Sequence, residues 1–145
     1  MLKQDQTSEK IVNNDSKFLE TFKVGDVSYQ GDIIIVGIST LPKSAKPRIN
    51  RQLADGDTQG SRHICERGEV FDCDLFEVAS LIKDSTGCII GNKYIGPVFV
   101  SPNNPSADDI THPEHGNQGF PAGQVCAVVY QRNLDAENRE AKVID

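Results

Sequence analysis

The segment Ile33-Ile34-Ile35-Val36-Gly37-Ile38 contains an unbroken run of four β-branched residues and decides the fold class of the chain. The run is short and β-branched, and it is followed by Ser39-Thr40 and Leu41-Pro42, which favour a turn. An apolar segment of this length between turn signals is typical of a strand that is buried on both faces. The sequence therefore predicts a central β-strand here, and the rest of the chain is interpreted outward from it.

Short strands are also predicted on both sides of the central one. Turn signals such as Asp84-Ser85-Thr86-Gly87 recur at intervals of roughly 8–15 residues, which suits small barrels and sandwiches. Residues 69–82 have mixed apolar alternation and are interpreted as strand, and residues 125–130 are interpreted as a strong final strand. No long helical period is visible. We therefore predict an all-β fold, a small barrel or sandwich of about six to eight short strands.

Polar residues dominate the first part of the chain. Only four of residues 1–17 are apolar, a composition typical of a segment that is disordered unless it lies on another molecule. The length of 145 residues fits one domain. The prediction is an N-terminal polar arm at residues 1–28 and a single β-rich domain at residues 29–145.

Charge and hydropathy exclude two classes of protein. The chain has a net charge of −6, and its 15 Lys and Arg residues form no basic stripe. Since nucleic-acid binding needs clustered cations, we expect no nucleic-acid partner. No apolar run approaches the roughly 20 residues of a membrane-spanning helix. Residues 1–6 also lack the apolar core of a secretory signal, so neither a membrane location nor secretion is expected.

The four cysteines leave their redox state open. Without a secretory signal, reduced thiols that act as small apolar residues are the default. An even number also permits two disulfides, and the sequence does not determine the pairing. No C-x-x-C motif is present, which argues against a zinc knuckle or a thioredoxin-like pair. The cysteines are Cys65, Cys73, Cys88 and Cys126.

The three histidines are the candidate metal ligands. His112-Pro113-Glu114-His115 is an H-x-x-H pair, and His63 can complete a site with three nitrogen ligands for a divalent metal such as zinc. Pro113 disfavours a helix at His112, so this is not the helical H-E-x-x-H motif of metalloproteases. The alternative is that the histidines are ordinary hydrogen-bonding groups. Candidate oxygen ligands are Glu114, Asp57 and Asp109.

A catalytic nucleophile is not favoured. Ser61 and Cys65 both lie two residues from His63, and Cys65 would share a strand face with it. Neither residue lies in a nucleophile-elbow motif, and a glycine-rich phosphate loop is absent. An inert thiol is the simpler interpretation, so no catalytic residue is assigned.

Three stretches of the chain resemble a poorly characterised family of small proteins from bacteria and their phages. The first is Gly31–Val36, with Leu41-Pro42 downstream. The second runs from Leu53 to His63, where the family tends to read L-A-x-G-E-x-T-G-H-x-H. The third comprises Thr111–Gly116, where the family tends to read T-H-x-E-H, followed by Phe120–Gly123 and Tyr130–Arg132.

The resemblance covers roughly four-fifths of the chain and implies a role more than a reaction. Where the family has the first histidine of H-x-H, this chain has Ser61, and His63 is retained. A four-histidine cluster would therefore have three members here, which weakens the case for a metal-dependent enzyme. Together with the added arm, the resemblance implies a non-enzymatic structural or binding module. The expected type is a phage virion component that decorates or cements a capsid through its arm and loops.

Two alternatives stay open beside this expectation. One is a metal-binding protein or a metal-dependent enzyme that uses the three histidines. The other is a phage inhibitor that binds a host protein. In the favoured case the partners are other protein subunits, such as a viral shell or tube protein in an oligomeric assembly. The location is then the virion or the cytoplasm.

Overall fold

The computed structural model describes residues 16–54 and 62–131. This part of the chain forms two β-sheets and one α-helix, so the predicted all-β class is confirmed, and its sheets stack as a sandwich without closing into a barrel. The helix is α1 (Leu75–Thr86), and a short 3-10 helix covers Asn92–Tyr94. The ten strands described are β1 (Ser16–Phe18), β2 (Val27–Gln30), β3 (Ile33–Ile38), β4 (Lys46–Pro47), β5 (Ile64–Cys65), β6 (Glu69–Asp72), β7 (Ile95–Val100), β8 (Ile110–Thr111), β9 (Asn117–Gly119) and β10 (Val125–Tyr130).

The larger sheet has six strands in the order β2-β3-β10-β7-β6-β4, and all neighbours are antiparallel. The predicted central strand is β3, which pairs with β2 on one side and with β10 on the other. Strand β10 comes last among the ten in chain order, yet it lies between β3 and β7, with Val128 opposite Ile35. Both of the strongest predicted strands are therefore confirmed at the centre of this sheet.

The smaller sheet has the order β1-β9-β8-β5 and covers one face of the larger sheet. Its strands are only two or three residues long, so their position depends on packing more than on local preference. Burying one aliphatic side chain contributes about 1.5–3 kcal/mol, and the layer between the sheets buries many. Its buried residues are Phe22, Ile33, Ile35, Leu53, Cys65, Val70, Phe99, Ile110, Phe120, Cys126 and Val128.

Helix α1 covers the opposite face of the larger sheet. Its buried residues Val78 and Ile82 are one turn apart and belong to the same core cluster as residues of β3, β7 and β10. The interpretation of residues 69–82 as strand is confirmed for β6 and is wrong from Leu75 onward. The helix begins where Asp74 accepts the N–H of Phe76 and ends at Gly87, whose φ of 81° is left-handed.

The described part of the predicted arm, residues 16–28, packs with the domain. Strand β1 pairs in parallel with β9, Phe22 is buried between the sheets, and Val27 begins β2. Residues 1–15 lie outside the described residues, so the prediction that they lie against another molecule stays a prediction.

Cysteine state and hydropathy add two observations. All four cysteines are free thiols; Cys65 and Cys126 are buried between the sheets, and Cys88 is exposed. Burial raises the pKa of the Cys126 thiol well above its ordinary value. Among residues 16–54 and 62–131, no helix has the length and apolar character needed to cross a membrane.

Candidate functional site

Three imidazoles and a carboxylate meet where the β2–β3 turn approaches the β8–β9 turn. His63 directly precedes β5, His112 directly follows β8, and His115 lies in the β8–β9 turn. The ring centroids of His63 and His112 are 4.4 Å apart, and those of His112 and His115 are 4.6 Å apart. Asp32 of the β2–β3 turn places Oδ1 2.9 Å from Nε2 of His63. We call these four residues, together with Gln30, the histidine cluster.

Gln30 fixes the proton of His63 on one ring nitrogen. Its Nε2 donates to the carbonyl oxygens of Ile110 at 3.1 Å and Gly116 at 2.8 Å, and its Oε1 lies 2.9 Å from Nδ1 of His63. An amide oxygen can only accept a hydrogen bond, so Nδ1 of His63 carries the proton. Reversing the buried amide would turn its oxygen toward the two carbonyls, which is costly without water.

Asp32 faces the other nitrogen of His63. A neutral His63 with its proton on Nδ1 turns the Nε2 lone pair toward Oδ1 of Asp32, and two lone pairs 2.9 Å apart repel each other. The contact is attractive only with a positive ion between the two atoms, of which a shared proton is the simplest. Burial lowers the pKa of His63, while the hydrogen bond and charge of Asp32 act in the opposite direction. A protonated His63 would form an ion pair with Asp32, and burial of the ring opposes that protonation.

His112 is oriented by the turn that it begins. Its Nδ1 accepts the backbone N–H groups of Glu114 at 3.0 Å and His115 at 3.1 Å. Neutral His112 therefore carries its proton on Nε2, a buried atom with no hydrogen-bond partner among the described residues. Burial and the neighbouring imidazoles of His63 and His115 lower the pKa of His112 to about 4. His112 is consequently neutral near pH 7.

Gly31 lets the β2–β3 turn approach the imidazoles. Its φ of 59° lies in the left-handed region that favours glycine. A Cβ at this position would lie 2.8 Å from Cδ2 of His115 and 3.3 Å from Cε1 of His63. The turn signal Gly31-Asp32 therefore serves two purposes, because it closes the hairpin and places Asp32 in the histidine cluster.

A surface cleft of about 490 Å³ borders the histidine cluster, and His112 forms part of its wall. The Thr111 hydroxyl donates to Glu66 at 3.0 Å, and the Asn117 amide donates to Asp108 at 3.0 Å. Thr111 and Asn117 are thus already hydrogen-bonded within the protein. The side chains that could take part in chemistry are those of the histidine cluster. The remaining lining residues are Arg62, Ile64 and Pro113.

Asp109, one of the three predicted oxygen ligands, does not join the histidine cluster. Asp109 is buried elsewhere, where its Oδ1 accepts a hydrogen bond from Arg67 at 3.0 Å. Glu114 is exposed, and Asp57 lies outside the described residues. The carboxylate that does reach the imidazoles, Asp32, was not predicted from the sequence.

Cys65, one of the two candidate nucleophiles that the sequence analysis did not favour, forms its hydrogen bonds away from His63. The Cys65 thiol donates to the carbonyl oxygen of Arg67 at 3.1 Å. Burial raises the pKa of Cys65 to about 11, so near pH 7 it is a protonated thiol and not a nucleophilic thiolate. Ser61 lies outside the described residues.

The structure brings together all three histidines that the sequence analysis singled out. In residues 16–54 and 62–131, no group of three or more His, Cys, Asp or Glu side chains is already arranged to hold a metal ion. Metal binding by His63, His112 and His115 therefore stays a prediction. Sequence reasoning missed Gln30 and Asp32, although the turn signal at Gly31-Asp32 placed them at the end of two paired strands.

The arrangement links three distant parts of the chain through polar contacts. Gln30 connects β2 to the carbonyl groups at both ends of the segment 110–116 and to His63. Such a buried and directional network can hold a proton or a cation and can fix one turn against another. Comparison of the chain with protein-family models, with curated proteins and with solved protein structures finds no match.

Proposed function

We propose that the chain is a non-enzymatic structural or binding module that docks on neighbouring protein subunits, in the manner of a phage capsid decoration or cement protein. The observation that carries this proposal is an apolar strip on the edge strand β2. Val27 and Tyr29, which we call the β2 strip, share one strand face and are 44% and 59% exposed. Large apolar side chains together on an edge strand are typical of a surface that another protein covers.

The β2 strip continues the face of the larger sheet that α1 covers further inward. Val27 pairs with Val36, and Tyr29 pairs with Ile34. Both pairing partners pack in the core beneath α1, which contacts β3 and β7. An apolar segment of a partner protein that lies beside α1 would extend this layer to the edge of the sheet.

Strand β1, in the described part of the predicted arm, lies at the same edge of the domain as β2. It ends at Phe18, which is exposed, and a short connection leads from it to β2. Gln118 of β9 accepts a hydrogen bond from the Ser28 hydroxyl and donates to the carbonyl oxygen of Tyr29. Since β9 also pairs with β1, a partner that reaches around this edge can contact both β1 and the β2 strip, although the two lie on opposite faces of the larger sheet.

Site-specific photocrosslinking tests this proposal. A photoreactive phenylalanine analogue replaces Tyr29 in the chain produced from its native genome, and the same analogue replaces Phe76 as a matched control. Phe76 is 76% exposed and lies on α1, not on the edge strand β2. We expect one abundant product from position 29, formed with a repeated shell or tube subunit, and none from position 76.

Two results would contradict the docking proposal. Equal products from both positions, or none from position 29, would mean that the β2 strip is not a docking surface. A product with a host enzyme would support the inhibitor alternative in place of the capsid role.

A second candidate function is a metal-binding protein or a metal-dependent enzyme. The observation that favours it is the convergence of three imidazoles and Asp32 in the histidine cluster. Isothermal titration of the purified chain with Zn²⁺ near pH 7 tests it, and the expected result is one ion bound per chain. A flat titration of the folded protein would remove this candidate.

A further inference from the structure

The contact between His63 and Asp32 is the strongest indication of an unassigned ligand. Because Gln30 holds a proton of His63 on Nδ1, the Nε2 lone pair and the Asp32 carboxylate face each other and favour a positive ion at that place, either a second proton or a metal ion. We propose that Nε2 of His63 and Oδ1 of Asp32 are two ligands of a divalent metal ion and that the His115 imidazole is the third. This inference names the ligands of the second candidate function and rests on it.

The distance between the two donor atoms is close to that between two ligands of one metal ion. Nitrogen and oxygen ligands lie about 2.1 Å from a zinc-like ion, so two of them at the tetrahedral angle are roughly 3.4 Å apart. The observed separation of Nε2 of His63 and Oδ1 of Asp32 is 2.9 Å. Binding of an ion therefore requires these two atoms to move apart by roughly 0.5 Å.

Gln30 has the role that supports a metal-binding imidazole. A histidine that binds a metal through one nitrogen usually donates the N–H of the other to an oxygen, which fixes the tautomer and the ring orientation. Nδ1 of His63 donates to Oε1 of Gln30 at 2.9 Å, and Gln30 is itself held by two backbone carbonyl groups. The lone pair of Nε2 is thereby directed at the place where the ion would lie.

His115 is the side chain that completes the site. A Cβ built on Gly31 would lie 3.4 Å from Nε2 of His115 and 3.3 Å from Cε1 of His63. The His115 ring is therefore adjacent to His63. His115 is exposed, and a solvent-facing ring can turn at little cost to direct a nitrogen at the ion. Among residues 16–54 and 62–131, no three His, Cys, Asp or Glu side chains are arranged to hold a metal ion, so the proposed site requires the His115 ring to turn toward the other two ligands.

His112 is not among the proposed ligands. Its Nδ1 accepts two backbone N–H groups, so its Nε2 carries a proton and offers no lone pair. Binding a metal through Nε2 would leave both ring nitrogens without a proton. The ligand set therefore differs from the three histidines of the H-x-x-H pattern, because Asp32 takes the place of His112.

The donor set selects the class of metal. Two imidazole nitrogens and one carboxylate oxygen suit Zn²⁺, Co²⁺ or Ni²⁺ better than Ca²⁺ or Mg²⁺, which prefer oxygen ligands. The ion would join the β2–β3 turn to the β8–β9 turn, so its first effect is on stability. A ligand that binds only the folded chain raises the unfolding temperature in proportion to the logarithm of its concentration.

Zn²⁺ titration of matched variants tests the ligand set. All proteins carry Cys88→Ser, which removes the exposed thiol as a competing ligand. Asp32→Asn keeps an oxygen beside His63 but removes the charge, and His115→Gln removes the third imidazole. Glu114→Gln is the control at an exposed neighbouring carboxylate, and His112→Asn is the control within the histidine cluster, since its Oδ1 can accept the same N–H groups. Urea unfolding without metal establishes that each variant is folded.

We expect one Zn²⁺ per chain in the parent protein, with affinity at least about tenfold lower in Asp32→Asn and His115→Gln. The affinities of Glu114→Gln and His112→Asn should stay close to that of the parent. Nitrogen NMR of the imidazoles adds a readout independent of affinity, because Zn²⁺ should shift Nε2 of His63 while Nδ1 keeps its proton.

The outcomes separate this inference from the function on which it rests. Zn²⁺ binding that is lost in His112→Asn but kept in Asp32→Asn would overturn the ligand set and leave the second candidate function standing. No Zn²⁺ binding by the folded parent would overturn both. Photocrosslinking at position 29 reports on docking alone and is affected by neither result.

Discussion

The rings of His63 and His112 lie next to each other at an angle of 45°, but the two residues use their ring nitrogens in opposite ways. Nδ1 of His63 donates to Gln30, whereas Nδ1 of His112 accepts two backbone N–H groups. The first histidine therefore directs a lone pair at Asp32, and the second directs an N–H group into a buried place without a partner among the described residues. Spacing in the sequence could not distinguish them, because the tautomer of each ring depends on the groups that the fold brings to it.

Gly31→Ala should destabilise the domain more than a left-handed glycine substitution normally does. An alanine at this position meets the left-handed φ, which costs about 1–2 kcal/mol, and its Cβ would also lie 2.8 Å from the ring of His115. Gly123→Ala is the matched control, because Gly123 has a φ of 73° and a Cβ there would meet no described atom within 4 Å. Urea unfolding should give a larger loss for Gly31→Ala, and equal losses would show that the close approach to His115 carries no energy.

The lowered pKa of His112 predicts that the domain loses stability as the pH falls. Between the ordinary value of 6.5 and the folded-state value of about 4, the unfolded chain binds a proton that the folded chain does not. The free energy of unfolding should therefore decrease as the pH is lowered through this window, by up to about 1.4 kcal/mol per pH unit. Below about pH 4 both states are protonated at His112, and this contribution becomes constant.

Urea unfolding in the presence of EDTA across this pH window measures the slope. His112→Asn should flatten the curve and leave the contributions of other groups, among them His63, whose pKa is also lowered by burial. A slope that His112→Asn does not change would assign the acid sensitivity to other groups.

Helix α1 is the element that sequence reasoning misidentified. The residues before it form β6. The first two residues of the helix, Leu75 and Phe76, are apolar although they are solvent-exposed, so in the sequence they extend the apolar alternation of the strand. The local signals of a helix were nevertheless present: Asp74 as a cap, Gly87 as a terminator, and Val78 and Ile82 one turn apart. In this segment the capping residues are a better predictor of the structure than the apolar alternation.

Removal of the Asp74 cap should weaken α1 and the layer beneath it. Asp74→Ala leaves the N–H of Phe76 without its acceptor at 2.9 Å and should cost about 1 kcal/mol. Asp74→Asn, which keeps an oxygen in the same place, should cost much less. Thermal unfolding compares the two variants, and an equal loss for both would indicate that charge rather than the cap bond matters.

Much of the fold could be predicted from the sequence, and the limits have physical causes. Strands β3 and β10 were visible because both faces are buried and their residues are β-branched. The strand at Ile64–Cys65 was predicted and is β5, whereas the two-residue strand β8 could not be predicted, since it exists only where the sandwich pairs it. The histidines were found from their residue type and spacing. Gln30 and Asp32 carry no such signal, and only the fold reveals their contact with His63.

On the scale of the whole molecule, an introduced carboxylate should change the stability greatly at the centre of the larger sheet and very little at its edge. Val128→Asp buries a carboxylate at the centre of the sheet, where the side chain is 0% exposed, and should abolish cooperative unfolding. Val27→Asp places the same group on the β2 strip and should change stability by no more than about 0.5 kcal/mol. Circular dichroism during urea unfolding checks both, and a destabilised Val27→Asp would mean that the strip contributes to folding and not only to docking.

The central position of β10 also has a consequence for biosynthesis. Strands β3 and β7 leave the ribosome first, but neither gains its second neighbour in the sheet until residues 125–130 have followed. Until then β3 and β7 each have an unpaired edge at the centre of the larger sheet. Folding should therefore be completed late, when β10 inserts between β3 and β7. Before that, the unpaired strand edges make the incomplete chain prone to aggregation, which is the condition that chaperones prevent.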